Sequence, residues 1–584
     1  MLNVRLYRIA WLAAAVGILL TLLTLQGPSS VPAPTVPPAI NGSAIATATA
    51  TVQSLGPTRA PGSAGDEAVG MWVRGQFVAI AGSHNSVIGR AAVGDEQFVA
   101  RWRGRLIHGH NVFLSLPGSL TGASQLPAIV IAAPRDAPPG VTTDASTTGM
   151  LVALAQLSAN TTHQRPLIFV SLDASTVGNA GMRWFLPKIT GVRIGAVINV
   201  ASPAQSAGAS VWIWATGRDN SQALGLDSIA RTAVGRAGAV VTSRPGIVTQ
   251  LLRLAVPQTF GDQAPAISEG IPAVTVAGRP DTPVYGPVRA DTAQLAIVGN
   301  GVLGLAGSLD AATQIPGPSG AVFVAGRQLS DLSVRVILLL LILPVLVVSA
   351  DAGIRLRRAR IRWRPGVTAL TLRVVPWLLA SAAGVVLARA GLLPGMSAGA
   401  VPLPGDAPVL TRSLVGLAAM VVIGLVISVW SASRIARLSL IPASDVAASL
   451  VGLGALLALT WVFRPFMLVL VVVGAHAAVL ALTAARRRQL IYVIVLAVLP
   501  VLLLVLSVAD QLQRSAPYAA WYLLVTTIQG GRGAVGPVLG LVLVVCAGSV
   551  VAVADRRLRR VPQIPTPPVW DVAIAWARNV WVHR

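Results

Sequence analysis

Asp173, Ser175 and Thr176 follow directly on an apolar run, Leu167 to Leu172, and Gly178 and Gly181 come just after them. That pattern predicts a buried strand, a turn and a helix beginning near Gly181, a place where hydrolytic chemistry is commonly mounted because strand ends converge there. Metal-assisted hydrolysis would need imidazole and carboxylate ligands plus a base for the attacking water. The carboxylates on hand are Asp136, after the run Ile129–Ala133, and Asp144, in the turn Thr142–Gly149; the chain has only three glutamates, Glu67, Glu96 and Glu269. His108-Gly109-His110 puts two imidazoles on one side of an extended segment. They either make a rearranged metal site with Asp136 and Asp144 or stay solvated. Asp173 is either a replacement base or a strand-terminal turn residue. Ser175 as a nucleophile lacks a G-x-S-x-G elbow around it. His476, inside an apolar segment, is either a proton relay of a transporter or a side chain bonded to a neighbouring helix.

Four segments, taken in order, resemble the zinc aminopeptidase family to which nicastrin belongs. In that family the strand–turn–helix at Leu167–Gly181 carries two adjacent glutamates, a general base and a zinc ligand; here Ser175 and Thr176 hold those places. Ile129–Asp136 is similar to a strand whose metal-binding histidine is replaced by Pro134, with the supporting carboxylate kept as Asp136. Thr142–Gly149 matches the turn of the zinc-bridging aspartate, kept as Asp144. Gly195–Ser202 ends at Ala201 where the family has a metal-binding aspartate. Gly261–Val276 keeps Gly270-Ile271-Pro272-Ala273, while Gly286 and Pro287 stand near the place of the last metal histidine. The resemblance covers roughly 110–310. It implies a retained scaffold, a degenerate site at Pro134, Ser175, Thr176, Ala201 and Pro287, no zinc or other cofactor, and no catalysis.

The elements that must position these residues are legible as apolar strands at 112–116, 128–133, 167–172, 195–200, 211–215 and 273–277, with helices at 147–159, 181–189, 221–234 and 292–312. Apolar strands alternating with helices predict an α/β domain, aminopeptidase-like, with a mixed sheet sandwiched by helices. Asp144 is expected to cap the helix that follows it.

The rest of the chain is dominated by apolar segments: 54% of residues are hydrophobic and 11% charged. Eight runs, at 6–25, 333–350, 368–391, 410–430, 443–462, 466–485, 490–508 and 535–554, are long enough to cross ~30 Å of hydrocarbon. Arg5 and Arg8, Arg355 to Arg364, Arg434 and Arg437, Arg486 to Arg488, and Arg556 to Arg560 all fall on one side if every run spans, as the positive-inside rule requires. The expected organisation is a multi-pass α-helical membrane protein. Residues 1–26 form a signal-anchor helix, 27–69 a Pro/Ala/Ser/Thr-rich linker, 70–325 the extracytoplasmic domain, 333–554 seven further helices and 555–584 a cytoplasmic tail, with both termini cytoplasmic. The net charge of +24 sits largely beside these helices, which favours anionic lipid over nucleic acid as its partner. Cys546 is the one cysteine, so there is no disulfide framework. Lys188 is the single lysine, a composition typical of a GC-rich, bacterial genome and therefore of a bacterial plasma membrane.

One anchor helix, an outer domain and seven further helices look like the attachment subunit of glycosylphosphatidylinositol transamidase (the Gaa1 type), and Gly109–Ser119 is similar to a strand of that subunit. The function expected is therefore non-catalytic: binding or presenting a polypeptide or lipid-linked partner outside the membrane. An active metallopeptidase with a rearranged site, or a transporter, are the alternatives. Arg135, Arg279 and Arg289, on loops at the strand ends with Asp144, are expected to bind an anionic partner.

Overall fold

The computed structural model describes residues 3–27, 39–84, 90–102, 105–118, 126–138, 144–188, 192–205, 210–282, 291–390, 392, 411–438, 442–484, 486, 488–528 and 535–560. Three helices precede the sheet: α1 (Val4–Leu22), α2 (Gly42–Leu55) and α3 (Ala64–Ser83). The α/β domain then runs β1 (Ala92–Trp102), β2 (Arg105–Leu116), β3 (Ala128–Pro134), α4 (Ser146–Ala159), β4 (Leu167–Leu172), α5 (Ala180–Lys188), β5 (Ile194–Ala201) and β6 (Ser210–Trp214). It continues with α6 (Leu224–Arg236), β7 (Val240–Val241), α7 (Ile247–Ala255), α8 (Gln263–Ser268), β8 (Ala273–Ala277) and α9 (Thr292–Asp310).

These strands form one sheet in the order β1-β2-β4-β3-β5-β8-β6-β7. The central four, β4, β3, β5 and β8, are parallel, and β2 and β6 join them antiparallel. β4 and β8 are buried along their whole length and β3 up to its last residue, as parallel strands covered on both faces must be. Helices α3, α4, α6 and α9 cover one face, and α5 and α8 the other. The sheet is thus mixed and sandwiched, as the alternating pattern predicts.

Residues 42–55 depart from the linker expectation. They form α2, which packs on α4 and α9 with Ile45 and Val52 fully buried. The physical reason is close approach rather than hydrophobic bulk. Ile45, Thr49 and Val52 share one helix face, and a Cβ on Gly149 of α4 would stand 2.7 Å from Thr49 Oγ1. The Ala- and Thr-rich sequence that reads as a flexible tether is a helix whose small side chains let it lie flat. The domain therefore begins well before residue 70; Ile40 is itself buried and bonded to Asn300.

A short hairpin, β9 (Val322–Val324) and β10 (Arg327–Leu329), leads into the apolar helices. These are α10 (Asp331–Arg358), α11 (Arg364–Arg389), α12 (Thr411–Ala436), α13 (Pro442–Phe463), α14 (Leu468–Ala481), α15 (Arg488–Leu512), α16 (Ala516–Ile528) and α17 (Val535–Arg560). Of these, α10, α11, α12, α13 and α15, together with α1, contain stretches long and apolar enough to cross a membrane. At 14 residues α14 is shorter, though a 3-10 turn, Pro465–Met467, extends it. α9 is also apolar enough, with mean hydropathy 1.3, but 67% of it is buried, packed on α2, α6 and the sheet. Its apolarity belongs to the core of the α/β domain.

The α/β domain rests directly on the apolar helices. Leu252, Leu254 and Ala255 of α7 join the core formed by α10, α13, α14 and α15. Arg464 donates to Asn220 Oδ1 and Gln511 to the Gln258 carbonyl.

Candidate functional site

The carboxyl ends of β3, β4, β5 and β8 surround a cavity of about 80 Å³. Pro134, Ser175, Thr176 and Ala201, four of the five positions singled out as a degenerate site, line it together with Asp144. Asp136, Asn199, Trp214, Phe260, Asp262 and Arg279 complete most of the wall.

The turn after β4 is held by its backbone. Ala174, Gly178 and Asn179 lie in the left-handed region, with φ of 52°, 67° and 59°. A Cβ on Gly181 would come within 2.3 Å of the Asp173 carbonyl oxygen. Asn111 clamps the same turn, accepting from the Asp173 amide at 3.1 Å and donating to the Gly181 carbonyl at 3.0 Å. The glycines at 178 and 181 thus serve geometry that does not depend on the side chains at 175 and 176.

The cavity carboxylates are engaged by amides. Asp136 accepts from the amides of Ser175 at 2.9 Å and Thr176 at 3.0 Å, and from the Thr176 hydroxyl at 2.6 Å. Asp144 accepts from the Ser146 amide at 2.8 Å and the Ala204 amide at 3.2 Å. It therefore satisfies a free amide at the start of α4, although the residue in the N-cap position is Ala145. Asp262 accepts from Asn179 at 2.9 Å, and Arg218 in turn donates to the Gly178 carbonyl and to Asn179. Asn199 donates to Thr275, but its Oδ1, fully buried, has no hydrogen-bond partner among the described residues.

Burial sets the charge state. It pushes Asp262 up to about 7, against the pull of the Asn179 hydrogen bond and with the nearby Asp136 adding to the rise. Asp136 rises to about 6, again chiefly by burial, with Asp173 contributing and the Thr176 and Ser175 hydrogen bonds opposing. Asp144 is raised by burial too, and its bonds to Ser146 and Ala204 hold it back.

As metal donors these positions are poor. Pro134 and Ala201 offer no ligand atom, Ser175 and Thr176 offer neutral hydroxyls, the carboxylates of Asp136 and Asp144 already bind backbone amides, and that of Asp262 accepts from Asn179. A co-catalytic zinc pair takes imidazole as well as carboxylate ligands, and no histidine is among the described residues that line this cavity.

Arg135 is not a cleft residue, contrary to the sequence expectation. It is 1% exposed and points to the other side of β3, where it meets Asp66 at 3.0 Å and Asp173 at 3.3 Å. It also donates to the carbonyls of His110 at 2.8 Å and Ser171 at 3.3 Å. Strand alternation is the reason: Pro134 and Asp136 face the cavity, so the residue between them cannot. Arg279 does line the cavity, whereas Pro287 and Arg289 lie outside the described residues. With Asp136, Asp144 and Asp262 on its wall, the cavity is acceptor-rich rather than an arginine cleft.

The other candidates separate. His110 belongs to the Asp66–Arg135–Asp173 group and His108 is exposed, while Asp136 and Asp144 line the cavity. The four do not assemble. Asp66, His110 and Asp173 have ligand atoms within 4.8 Å of one another, but the Arg135 guanidinium already supplies the positive charge there. Asp173 is bound to Arg135 and to the amides of His110 and Ala174, which is a structural role. His476 contacts the Tyr7 hydroxyl and the Leu341 carbonyl, each at 2.8 Å, and so ties α1 and α10 to α14. Asp262, Asn179, Asn199 and Arg218 went unnoticed in the sequence. The one local signal was the Asp in Gly261-Asp262-Gln263, ahead of the Gly270–Ala273 segment.

No protein-family model matches the chain, and no curated protein does. Among solved structures, it is similar to the LapA aminopeptidase of Legionella pneumophila, at 16% identity and TM-score 0.36, over 47% of this chain and 71% of that one. It is also similar to BSAP, a zinc aminopeptidase from Bacillus subtilis, at 10% identity and TM-score 0.35, over 47% and 95% of the two chains. A glutaminyl cyclase from an Acidobacteriales bacterium is similar at 18% identity and TM-score 0.36, over 48% and 99%. At these scores the likenesses stand beside the strand order and cavity described above and carry no part of the functional reasoning.

Proposed function

We propose that this chain is a non-catalytic membrane protein whose outer α/β domain, aminopeptidase-like in plan, binds a polypeptide or lipid-linked partner without metal. The observation that carries this reading is the cavity itself. It persists at the strand ends although Pro134 and Ala201 offer no ligand and the carboxylates of Asp136 and Asp144 are turned to backbone amides. Its wall supports a partner bearing an amine: three buried carboxylates and the unmatched Asn199 oxygen accept hydrogen bonds, and Trp214 and Phe260 offer apolar faces.

In this reading α1, α10 to α15 and α17 span the membrane, with the arginine clusters and both termini on the cytoplasmic side, and α16 lies in the opposite interface. The layout is similar to that of the transamidase attachment subunit, which supports a presenting role over a transport one.

The test is calorimetric titration of the full chain in detergent with a short peptide in free-amine and N-acetylated forms. The free amine should bind and the acetylated form should not, and Asp262→Asn should weaken binding about tenfold, the value of one charge-assisted hydrogen bond. Equal binding of the two forms, or indifference to Asp262→Asn, would move the partner site away from this cavity.

A further inference from the structure

A second site lies between α10 and α13, on the arginine-rich side of the helices. There a groove of about 560 Å³ opens laterally, lined by Leu346, Ala350, Gly353 and Arg357 from one helix and by Gly454 and Ala455 from the other. Its depth comes from missing side chains, and its width is fixed. The Ser349 hydroxyl donates to the Leu450 carbonyl at 2.8 Å, and a Cβ on Gly454 would stand 2.6 Å from Ser349 Cβ. The two helices therefore cannot close further.

Length and charge identify what fits. From Leu346 to Arg357 the groove follows α10 for about 16 Å at ~1.5 Å per residue, close to half of a ~30 Å hydrocarbon layer, which is one leaflet. Ala350, Ile354 and Ala455 are exposed along it, so its open side faces the surroundings of the helices rather than another helix. At its end Arg357 is exposed and its guanidinium makes no hydrogen bond or ion pair among the described residues, unlike that of Arg355, which pairs with Asp351 at 2.9 Å. Trp363 stands across the same mouth, a residue that favours the headgroup region. Arg355, Arg358, Arg360, Arg362 and Arg364 flank Arg357 and Trp363 along the chain.

We propose that this groove binds an anionic phospholipid from the arginine-side leaflet. One acyl chain lies along the small residues, and the phosphate sits on the Arg357 guanidinium, whose planar fork matches phosphate oxygens. The inference rests on the membrane placement given above. Liposome flotation reports that placement separately, so the two can fail independently.

The experiment is native mass spectrometry of the detergent-solubilised full chain with added phosphatidylglycerol or phosphatidylcholine. Phosphatidylglycerol should be retained in preference. Arg357→Gln should reduce its retention about fivefold, the equivalent of about 1 kcal/mol for losing one direct guanidinium–phosphate contact. Arg358→Gln, an identical charge change on an exposed neighbour outside the groove, should change it less than about twofold. Ala350→Leu with Ala455→Leu should abolish retention of either lipid while the arginines remain. Both alanines are already exposed, and the Arg357 comparison stands if that double variant does not fold. Inorganic phosphate should not compete. Equal losses from Arg357→Gln and Arg358→Gln would reduce the effect to general surface attraction and overturn the site. So would competition by free phosphate, retention in the groove-filling variant, or conversion of a dimer to a monomer by that variant, which would make the occupant a second copy.

Discussion

Replacing Arg135 by Met removes the counter-charge of two carboxylates that have no access to water. Asp66 and Asp173 are 1% and 0% exposed at their side chains, and the guanidinium meets them at 3.0 and 3.3 Å. It also satisfies the carbonyls of Ser171 and His110. Burial already pushes the Asp66 carboxyl upward, Arg135 is the largest influence opposing that, and Asp173 adds repulsion. Removing one partner of a buried pair costs about 3–5 kcal/mol, a large part of the ~5–15 kcal/mol that holds a typical domain folded. Amide hydrogen exchange across β3 and β4 in the full chain should read that loss, and it should shrink when the Met variant also carries Asp66→Leu, because one stranded charge is gone. A loss below about 1 kcal/mol would show that the two carboxylates do not depend on this guanidinium.

Three further outcomes follow from the cavity. Asp262 titrates at about 7 in the folded chain, against ~3.9 unfolded, so the folded state holds an extra proton between those values. Stability of the α/β domain should therefore fall as pH rises from about 4 to 7 and level off above. Asp262→Asn should remove up to ~1.4 kcal/mol per pH unit of that slope, measured by denaturant unfolding at a series of pH values; an unchanged slope would place the titration elsewhere. Asp144→Asn should keep the bond to the Ser146 amide and give up the one to the Ala204 amide, which retains the Ser146 hydroxyl, so it should lose less than Asp144→Ala, which should lose about 1 kcal/mol in the same assay; equal losses would mean that the charge itself is required. Ala174, at φ 52°, is expected to be relieved by glycine, with Ala174→Gly neutral or stabilising by up to about 1 kcal/mol, while Gly181→Ala should disrupt the turn because of its 2.3 Å approach to the Asp173 carbonyl.

The central strands were legible because each is a nearly continuous apolar run: the expected 167–172 and 273–277 coincide with β4 and β8. β1 was missed because it is an edge strand, pairing only with β2, and residues such as Asp95, Glu96 and Gln97 interrupt its apolar pattern. α2 was missed because close packing of small residues leaves no hydrophobic periodicity to read. The positions converging on the cavity were legible from their order along the chain, but its charge was not. Arg135 and Asp136 are adjacent, and only the register of β3 decides which of them faces inward. The contributions of Asp262 and Asn199 arise where α8, β5 and the turn after β4 meet, which no local pattern encodes.

Zinc content of the purified full chain, measured after dialysis against micromolar zinc together with aminopeptidase turnover, separates a metal-free binding domain from a metallopeptidase. A metal-free binding domain predicts substoichiometric zinc and no turnover, with Asp144→Ala changing neither. One or two zinc ions per chain, with turnover that Asp144→Ala abolishes, would contradict it.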